Sequence, residues 1–291
     1  MKVKRADRRE DFARLPFRCP TCQKALTLQR DELVCSSCGG SVSINDDSAR
    51  FVDTASEFAT DPLDRIKAVV KRHYRLYDFL IELLSPVFPL HRIRFRRQIR
   101  RMIAEGGVVA NIGAGNTIIA PGIVNVDFLP YPNVDAVASA DDLPFLDDSI
   151  DGLVSISVLE HLRDPDKALS EMLRVLKPGG ILLLFVPFMV GFHASPDDFN
   201  RYTSEGLRLK LKGFQMESMW SPGPTSALLW IFQEWVAALL SFGSSRVNRL
   251  VHIIVMLLTW PIKFLDVFMR LMPGADHIAV GYAVVARKPL R

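Results

Sequence analysis

The chain has 291 residues, enough for one large domain or for a core domain with attachments. Its 36 basic and 32 acidic residues leave a net charge of +4, which by itself does not indicate a nucleic-acid partner. The apolar fraction of 49% and the mean hydropathy of +0.16 are high for a soluble enzyme, and the apolar surplus lies near the C-terminus. The N-terminal residues are charged and contain no apolar run, so we expect no signal peptide.

All four cysteines lie in the first 40 residues, as two Cys-x-x-Cys pairs separated by twelve residues. Each pair can direct two thiolates at one ion, and two pairs complete a tetrahedral site that suits zinc. Because four protein ligands leave no open position for substrate, we expect a structural zinc ribbon over residues 1–53 and a reducing, cytoplasmic location. The predicted ligands are Cys19, Cys22, Cys35 and Cys38.

A polar segment over residues 43–62 is expected to connect the ribbon to a basic helical region, which we place at 54–105. Apolar spacing there predicts one helix over 64–84 and a second that begins at 90. The many arginines either form a solvated face over the core or attract an anion, such as lipid headgroups of an anionic membrane or a charged substrate. Nucleic acid is less favoured, because no aromatic stacking platform accompanies the bases.

The segment VVANIGAGN, residues 108–116, predicts a buried strand followed by a tight Gly-Ala-Gly turn. A dinucleotide-binding loop would require a third glycine and a phosphate-binding loop a Gly-Lys-Ser/Thr sequence, and neither occurs here. The next predicted strand ends in Asp127, whose carboxylate can accept hydrogen bonds from ribose hydroxyls. The glycines are therefore expected to face a ligand that is not a phosphate.

The alternation continues with strands predicted over 152–157 and 181–186, separated by an amphipathic helix over 165–176 and a Pro-Gly-Gly turn. Strands that alternate with helices predict an α/β fold with a doubly wound, mostly parallel sheet over residues 106–291. Ligands of such sheets bind at the carboxyl ends of the strands.

The segments NIGAGN, NVDF, DDLPFLDDSID and VLEHLRDPDKALSEMLRVLKPGG resemble class I S-adenosylmethionine-dependent methyltransferases over about residues 108–207. The resemblance implies a seven-stranded Rossmann-like sheet, methyltransferase activity and S-adenosylmethionine as the cofactor. It implies that the two glycines approach the methionine part, that Asp127 holds the ribose and that residues 139–143 flank the adenine. The residues assigned to the cofactor in this way are Asn111, Gly113, Gly115, Asp127, Ser139, Asp141, Leu143 and Ser157.

Two positions depart from the pattern of that family. Asn111 stands where an acidic residue is frequent, so it can form hydrogen bonds but cannot pair with the cofactor's ammonium group. Ser139 stands where an Asp often binds the adenine amine, a role that Asp141 or Asp142 could take. The helix after the glycines is expected to be short, because a Pro-Gly pair follows within one turn.

Polar residues in two loops could supply the base that an oxygen nucleophile requires. Glu160 and His161 follow the fourth strand at the mouth of the cofactor cleft. The loop after the fifth strand resembles His-x-x-Pro-x-Asp-aromatic-x-Arg-Tyr-Thr loops of methyltransferases that accompany cell-surface glycan and lipid genes. By that resemblance His193 is the first candidate for a general base, with His161 as the second. The residues expected to contact substrate, or alternatively to lock the loop or cap the cofactor, are Glu160, Asp198, Arg201 and Tyr202.

An apolar insertion, residues 221–275, separates the predicted sixth and seventh strands, which are expected to pair antiparallel. Residues 250–262 contain no Asp, Glu, Lys or Arg, but these 13 residues are fewer than the ~20 that a spanning helix needs. We therefore expect helices that lie in the bilayer interface, or a lid over the substrate pocket, or a dimer contact.

Together these patterns predict a cytoplasmic methyltransferase, peripheral on the inner face of the plasma membrane, that methylates an oxygen of a small molecule or a lipid-linked, cell-surface glycan. Two alternatives stay open. One is an RNA or protein methyltransferase that docks its substrate through the ribbon, and the other is a non-catalytic, membrane-associated adaptor with a degenerate fold.

Overall fold

The computed structural model describes residues 12–45, 47–53, 83, 85–88, 90–193 and 197–290. The helix predicted over 64–84 therefore lies outside the described residues, except for Leu83.

The centre of the molecule is a sheet of eleven strands in the order β1-β2-β3-β4-β7-β6-β5-β8-β9-β11-β10. Neighbouring strands from β4 to β9 are parallel, and the pairs at both ends of the sheet are antiparallel. The strands are β1 Thr27–Gln29, β2 Glu32–Val34, β3 Ser41–Asn45, β4 Ser48–Arg50, β5 Val109–Ile112, β6 Val124–Asp127, β7 Ala136–Val137, β8 Ile150–Ile156, β9 Leu176–Pro187, β10 Gln215–Trp220 and β11 Gly281–Arg287.

The seven strands from β7 to β10 in this order form the predicted doubly wound sheet. All four residues of β5 are buried, as are most of β8 and β9, which is typical of parallel strands covered on both faces. The last two strands pair antiparallel, as predicted for the sixth and seventh strands of the fold. The fold class is thus confirmed, although the ribbon adds four strands that the sequence did not place in this sheet.

Six α-helices are described, and short 3₁₀ helices occupy Leu159–His161, Trp260–Leu265 and Ala275–Ile278. The second helix illustrates how local sequence sets the boundaries, because the Asp164 side chain accepts a hydrogen bond from the amide of Lys167 and a proline follows at the first helical position. The α-helices are α1 Leu90–Ala104, α2 Pro165–Val175, α3 Ser204–Lys210, α4 Pro224–Leu239, α5 Ser245–Thr259 and α6 Asp266–Met269.

Three local predictions require correction. The chain between β5 and β6 forms no helix but only turns, one closed by a hydrogen bond of 3.2 Å from the Thr117 amide to the Ala114 carbonyl, because the Pro-Gly pair leaves too little chain. The Pro-Gly-Gly segment lies inside β9 rather than before it. The segment expected to be a linker from residue 43 instead begins with the end of β3 and with β4.

The ribbon is docked on the seven-stranded part of the sheet. Strand β4 pairs in parallel with β7, and the Phe17 ring stacks on Phe145 with 5.7 Å between the ring centroids. Arg18 donates from its amide to the carbonyl of Pro144 at 3.0 Å and from its guanidinium to Asp142 at 2.6 Å. Ribbon and sheet therefore share one buried core.

The apolar insertion forms α4, α5 and α6. Asp266 is fully buried and accepts hydrogen bonds from the amides of Thr225 at 2.6 Å and Ser226 at 3.1 Å, at the start of α4. Lys263 is also buried and donates to the carbonyls of Leu83 and Ser85. Both charged groups thus point into the protein. The chain from Ser245 to Met269 is helical over 25 residues, and 11% of an apolar 18-residue stretch within it is buried. By length and composition this run could cross a membrane, whereas the 13 residues without charged side chains were expected to be too few.

Candidate cofactor, acceptor and zinc sites

The four cysteines converge on one point in the ribbon. Their Sγ atoms all lie within 4.8 Å of one another, with 3.6 Å between Cys19 and Cys38 and 3.4 Å between Cys22 and Cys35. A tetrahedron with zinc–sulfur bonds of about 2.3 Å has sulfur–sulfur edges of about 3.8 Å. The four cysteines therefore fit a zinc ion whose coordination positions are all filled by thiolates. The predicted cofactor and acceptor sites lie outside the ribbon.

The glycine loop leaves the carboxyl end of β5, and its two glycines do different things. Gly113 has a φ of 67°, and a Cβ at this position would collide with the Val158 side chain, so this glycine permits a close internal approach. Gly115 has a φ of 54°, and a Cβ there would meet nothing within 4 Å. The open space in front of Gly115 is where a ligand could approach the backbone.

Asp127 ends β6 and holds this loop. Its Oδ2 accepts a hydrogen bond of 2.7 Å from the Gly115 amide, and its Oδ1 accepts one of 2.8 Å from the Leu129 amide. Burial raises the pKa of Asp127, and the backbone amides oppose that rise. Each carboxylate oxygen retains a lone pair, so Asp127 can still accept a hydrogen bond from a ribose hydroxyl as predicted.

Asn111 is connected to the glycine loop through a chain of asparagine hydrogen bonds. It is buried, and its Nδ2 donates to Asn125 Oδ1 at 3.2 Å. Asn125 donates to the carbonyl of Asn133, whose own side chain donates to the carbonyl of Gly115 at 3.0 Å. Asn125 and Asn133 were missed at the sequence level. Their only signal was the repeated Asn-Val-Asp sequence at 125–127 and 133–135.

The remaining residues assigned to the cofactor lie after the carboxyl ends of β7 and β8. The Ser139 hydroxyl donates to the Asp141 carboxylate, and the buried Leu143 is anchored by a hydrogen bond of 2.8 Å from its amide to Glu171. Ser157 has a left-handed φ of 55° immediately after β8. Their contact with a cofactor stays a prediction.

Glu160 lies at the centre of the second predicted site. Its side chain is 0% exposed, and neither carboxylate oxygen has a hydrogen-bond partner among the described residues. The Nε2 atoms of His161 and His193 each lie 3.7 Å from Glu160 Oε1. The structure thus brings together three residues that the sequence placed in two loops, after the neighbouring parallel strands β8 and β9.

Backbone carbonyls orient both imidazoles. His161 Nδ1 lies 2.5 Å from the carbonyl of Asp197, and His193 Nδ1 lies 3.0 Å from the carbonyl of Gly191. A carbonyl only accepts, so each Nδ1 carries the hydrogen and each Nε2 faces Glu160. The Glu160 carboxylate raises the pKa of His193, and burial opposes that rise.

Asp198 and Arg201 hold the loop that carries His193. The Arg201 guanidinium contacts both Asp198 oxygens, at 2.7 Å for Oδ2, and this oxygen also accepts from the His193 amide at 3.0 Å. The guanidinium keeps the pKa of Asp198 well below its usual range. The geometry therefore favours the locking role over direct substrate contact. Tyr202 is buried nearby, and burial raises its pKa to about 12.

Helix α4 of the insertion covers one side of the histidines. The ring of Trp230 lies 5.7 Å from the ring of His193, and a Cβ on Gly191 would lie 2.7 Å from Trp230 Nε1. Gly191 thus permits the tryptophan to pack against the loop. The first helix of the insertion thus contacts the loop that carries His193, and its role as a lid stays a prediction.

Comparisons with known proteins find similarity to methyltransferases. Residues 124–184 match the family model described as a methyltransferase domain. The chain is 32% identical over 149 residues to the ubiquinone/menaquinone biosynthesis C-methyltransferase UbiE of Geobacter sulfurreducens, which covers 42% of this chain and 57% of that protein. It is 42% identical over 64 residues to the demethylmenaquinone methyltransferase of Renibacterium salmoninarum, which covers 22% of this chain and 27% of that protein.

The crystal structure of the cyclase SpnF matches 67% of this chain and 81% of its own, with 22% sequence identity and a TM-score of 0.42. The sheet order defines the class of protein, an open α/β fold that binds its ligand at the carboxyl ends of parallel strands. In the family match over residues 124–184 and in its matches to curated methyltransferases, the chain is similar to class I S-adenosylmethionine-dependent methyltransferases. It spans less than two thirds of the length of the curated relatives it matches.

Proposed function

We propose that this protein transfers a methyl group from S-adenosylmethionine to a hydroxyl oxygen of a small-molecule or lipid-linked glycan acceptor. The observation that carries the proposal is the buried cluster of Glu160, His161 and His193 after β8 and β9, because β5 with the glycine loop lies beside β8. A site of this kind can deprotonate a hydroxyl at the edge of the sheet where the cofactor is expected.

Different residues of the chain are proposed to bind the cofactor and the acceptor. Gly115 leaves room at the loop, and Asp127 accepts hydrogen bonds from the ribose, while the histidine cluster receives the acceptor hydroxyl. The bound cofactor supplies a methyl group on a positively charged sulfur. The cluster, with His193 as the proposed base, would take the proton of the acceptor hydroxyl. The cofactor would then supply the methyl group to that oxygen and keep the electron pair of its carbon–sulfur bond. Alignment of the two reactants is the main task of the protein.

The proposed acceptor class is supported by the surroundings of the cluster. Helix α4 contacts the His193 loop through Trp230 and also carries exposed apolar side chains, so the acceptor site lies beside an apolar surface. In an acceptor with a lipid part and a hydroxylated head, the head would suit the polar histidine cluster and the lipid part would suit the apolar surface. We further propose that this surface contacts an anionic membrane and that the ribbon holds a structural zinc.

The first test is binding of S-adenosylhomocysteine, measured by calorimetry on zinc-loaded protein. Gly115→Arg directs a long side chain into the open space of the loop, so we expect micromolar-order binding to the wild type and none to this variant. Gly106→Arg is the matched control, because Gly106 also has a positive φ and open surroundings but lies before the amino end of β5. Absence of binding to folded wild-type protein would refute the proposal in favour of the adaptor.

A further inference from the structure

We propose that Glu160, His161 and His193 bind a divalent transition-metal ion, distinct from the zinc of the ribbon. The ligand atoms of the three residues, one from each, all lie within 4.8 Å of one another. The metal ion deepens the proposed function, on which its use in methyl transfer rests, because it would hold the acceptor oxygen. Its binding can be tested without any acceptor.

The first step of the inference concerns the direction of lone pairs. Each Nδ1 donates its hydrogen to a carbonyl, that of Asp197 for His161 and that of Gly191 for His193. Arg201 Nη2 also lies 3.3 Å from His193 Nδ1, but its two hydrogens are directed to Asp198 and to the Gly191 carbonyl. Two neutral imidazoles therefore present lone pairs at Nε2 toward a carboxylate that also only accepts. Three acceptors that face one point are stabilised by a positive charge there, either a proton or a metal ion.

The second step concerns burial. Glu160 is fully buried, and both of its oxygens lack a hydrogen-bond partner among the residues described. An ionised carboxylate removed from water without a partner is costly. A proton on His193 would offset only part of this free-energy cost. The 3.7 Å between His193 Nε2 and Glu160 Oε1 is longer than a hydrogen bond, and Glu160 Oε2 would still have no partner among the described residues. A divalent ion neutralises the carboxylate and uses both imidazole lone pairs.

The third step concerns the kind of ion. Two imidazoles and one carboxylate suit first-row divalent metals such as Mn²⁺, Fe²⁺, Co²⁺ and Zn²⁺. With metal–ligand bonds of about 2.1 Å, ligand atoms lie about 3.0–3.4 Å apart, so the observed 3.7 Å needs a contraction of a few tenths of an ångström. Metal-binding histidines commonly donate their other ring N–H to a carbonyl or carboxylate, as both do here.

The fourth step concerns the open coordination positions. Three protein ligands leave at least one position free, in contrast to the closed tetrathiolate of the ribbon. The ring of Trp230 packs beside His193 and shields one side. We infer that the free position takes the hydroxyl oxygen of the acceptor. In this scheme His161 and His193 are ligands and His193 is not the base, because the ion acidifies the bound hydroxyl and its proton passes to solvent water.

The experiment is a calorimetric titration of Co²⁺ into full-length protein whose ribbon is already loaded with zinc. We expect one further site in the wild type, and affinity weakened by about 100-fold or more in Glu160→Gln and in His193→Ala. Glu160→Gln keeps the shape of the side chain and removes a buried charge, so we expect it to fold. The matched control is His252→Ala, because His252 also lies 3.7 Å from a carboxylate, that of Glu234, but outside any cluster of three ligands in the described chain.

Absence of a further Co²⁺ site, or equal affinity in wild type and Glu160→Gln, would overturn the metal proposal. Visible absorption of the bound Co²⁺ gives a second measurement, because nitrogen and oxygen ligands lack the intense charge-transfer bands of thiolates. Binding of S-adenosylhomocysteine is measured on the same samples. Cofactor binding without Co²⁺ binding would refute the metal alone, and Co²⁺ binding without cofactor binding would refute the proposed function alone.

Discussion

At the scale of single residues, Gly113 and Val158 form one unit. The left-handed conformation of Gly113 would cost an alanine about 1–2 kcal/mol, and the clash of its Cβ with Val158 about 1–3 kcal/mol more. We therefore expect Gly113→Ala to lower the free energy of unfolding by about 2–5 kcal/mol in urea denaturation.

Val158→Ala provides the control in a double-mutant cycle. In the Val158→Ala background the clash is gone, so the second substitution should cost only the conformational part. If the two costs are simply additive, Val158 is not what requires a glycine at position 113.

His91 supplies a second prediction at this scale, concerning pH. Its ring is buried against Phe185, with 4.0 Å between the ring centroids, and Nδ1 has no partner in the described part of the chain. Burial, with a smaller contribution from Arg92, lowers the pKa of His91 to about 3. The folded protein thus keeps this ring neutral, whereas the unfolded chain takes up a proton near pH 6.5.

The unfolded state binds more protons between these two values, so stability is full above about pH 6.5 and falls as the pH drops toward about 3. From pH 6.5 to 4.5 we expect a loss of about 2–3 kcal/mol that is absent in His91→Phe. Urea unfolding at several pH values measures both proteins. If the free energy of unfolding changes with pH in the same way in both proteins, His91 is not the source of the loss of stability.

At the scale of elements, the α4–α6 insertion is held by its charges and exposes its apolar side. Asp266 caps the start of α4 and Lys263 binds two carbonyls, so neither charge interrupts the outer surface. Large apolar side chains therefore remain exposed on these helices, and a continuous apolar surface of this kind typically contacts a membrane or another protein. They are Leu228, Ile231, Trp235, Leu239, Leu250, Ile253, Leu257, Leu258, Leu265 and Phe268.

If this surface contacts a membrane as proposed, the protein should sediment with phosphatidylglycerol vesicles and less with phosphatidylcholine vesicles. The double substitution Leu258→Glu with Phe268→Glu should weaken binding by more than about tenfold, since each side chain loses apolar burial. Leu209→Glu, an equally exposed change on α3, should have no effect. Equal binding by all three proteins would reject this surface as the contact.

At the scale of the whole molecule, the ribbon packs against the sheet where the cofactor is expected. It contacts residues 142–146, which overlap the segment over 139–143 expected to flank the adenine, through Arg18 and Phe17. Loss of zinc should therefore affect more than the ribbon itself. Loss of the packing of Phe17 alone should lower the free energy of unfolding by about 3–5 kcal/mol, as for a phenylalanine removed from a well-packed core.

Cys38→Ser tests this coupling because it removes one zinc ligand. We expect a lower midpoint for thermal unfolding of the whole chain and several-fold weaker binding of S-adenosylhomocysteine, whereas the neighbouring Ser37→Ala should change neither. Unfolding of the ribbon alone, with the midpoint of the sheet and the cofactor affinity unchanged, would show that the two parts are independent.

The sequence by itself determined the features whose cause is local. The Cys-x-x-Cys spacing, the alternation of strands and helices, the Gly-Ala-Gly turn and the position of Asp127 each depend on residues close together in the chain. The seven-stranded, mostly parallel sheet was predicted through resemblance, and seven of the eleven strands form it. These features follow from backbone conformation and periodicity, which a single segment already specifies.

Only the tertiary structure decided what depends on neighbouring strands and docking faces. Glu160 and His193 meet because β8 and β9 are adjacent, and Asn111 points at Asn125 because β5 and β6 are. The pairing of β4 with β7 made the ribbon part of the sheet, and burial of Lys263 and Asp266 turned an interrupted apolar segment into a continuous surface. Contacts between distant segments depend on packing across the sheet, which the spacing of residues along the chain does not specify.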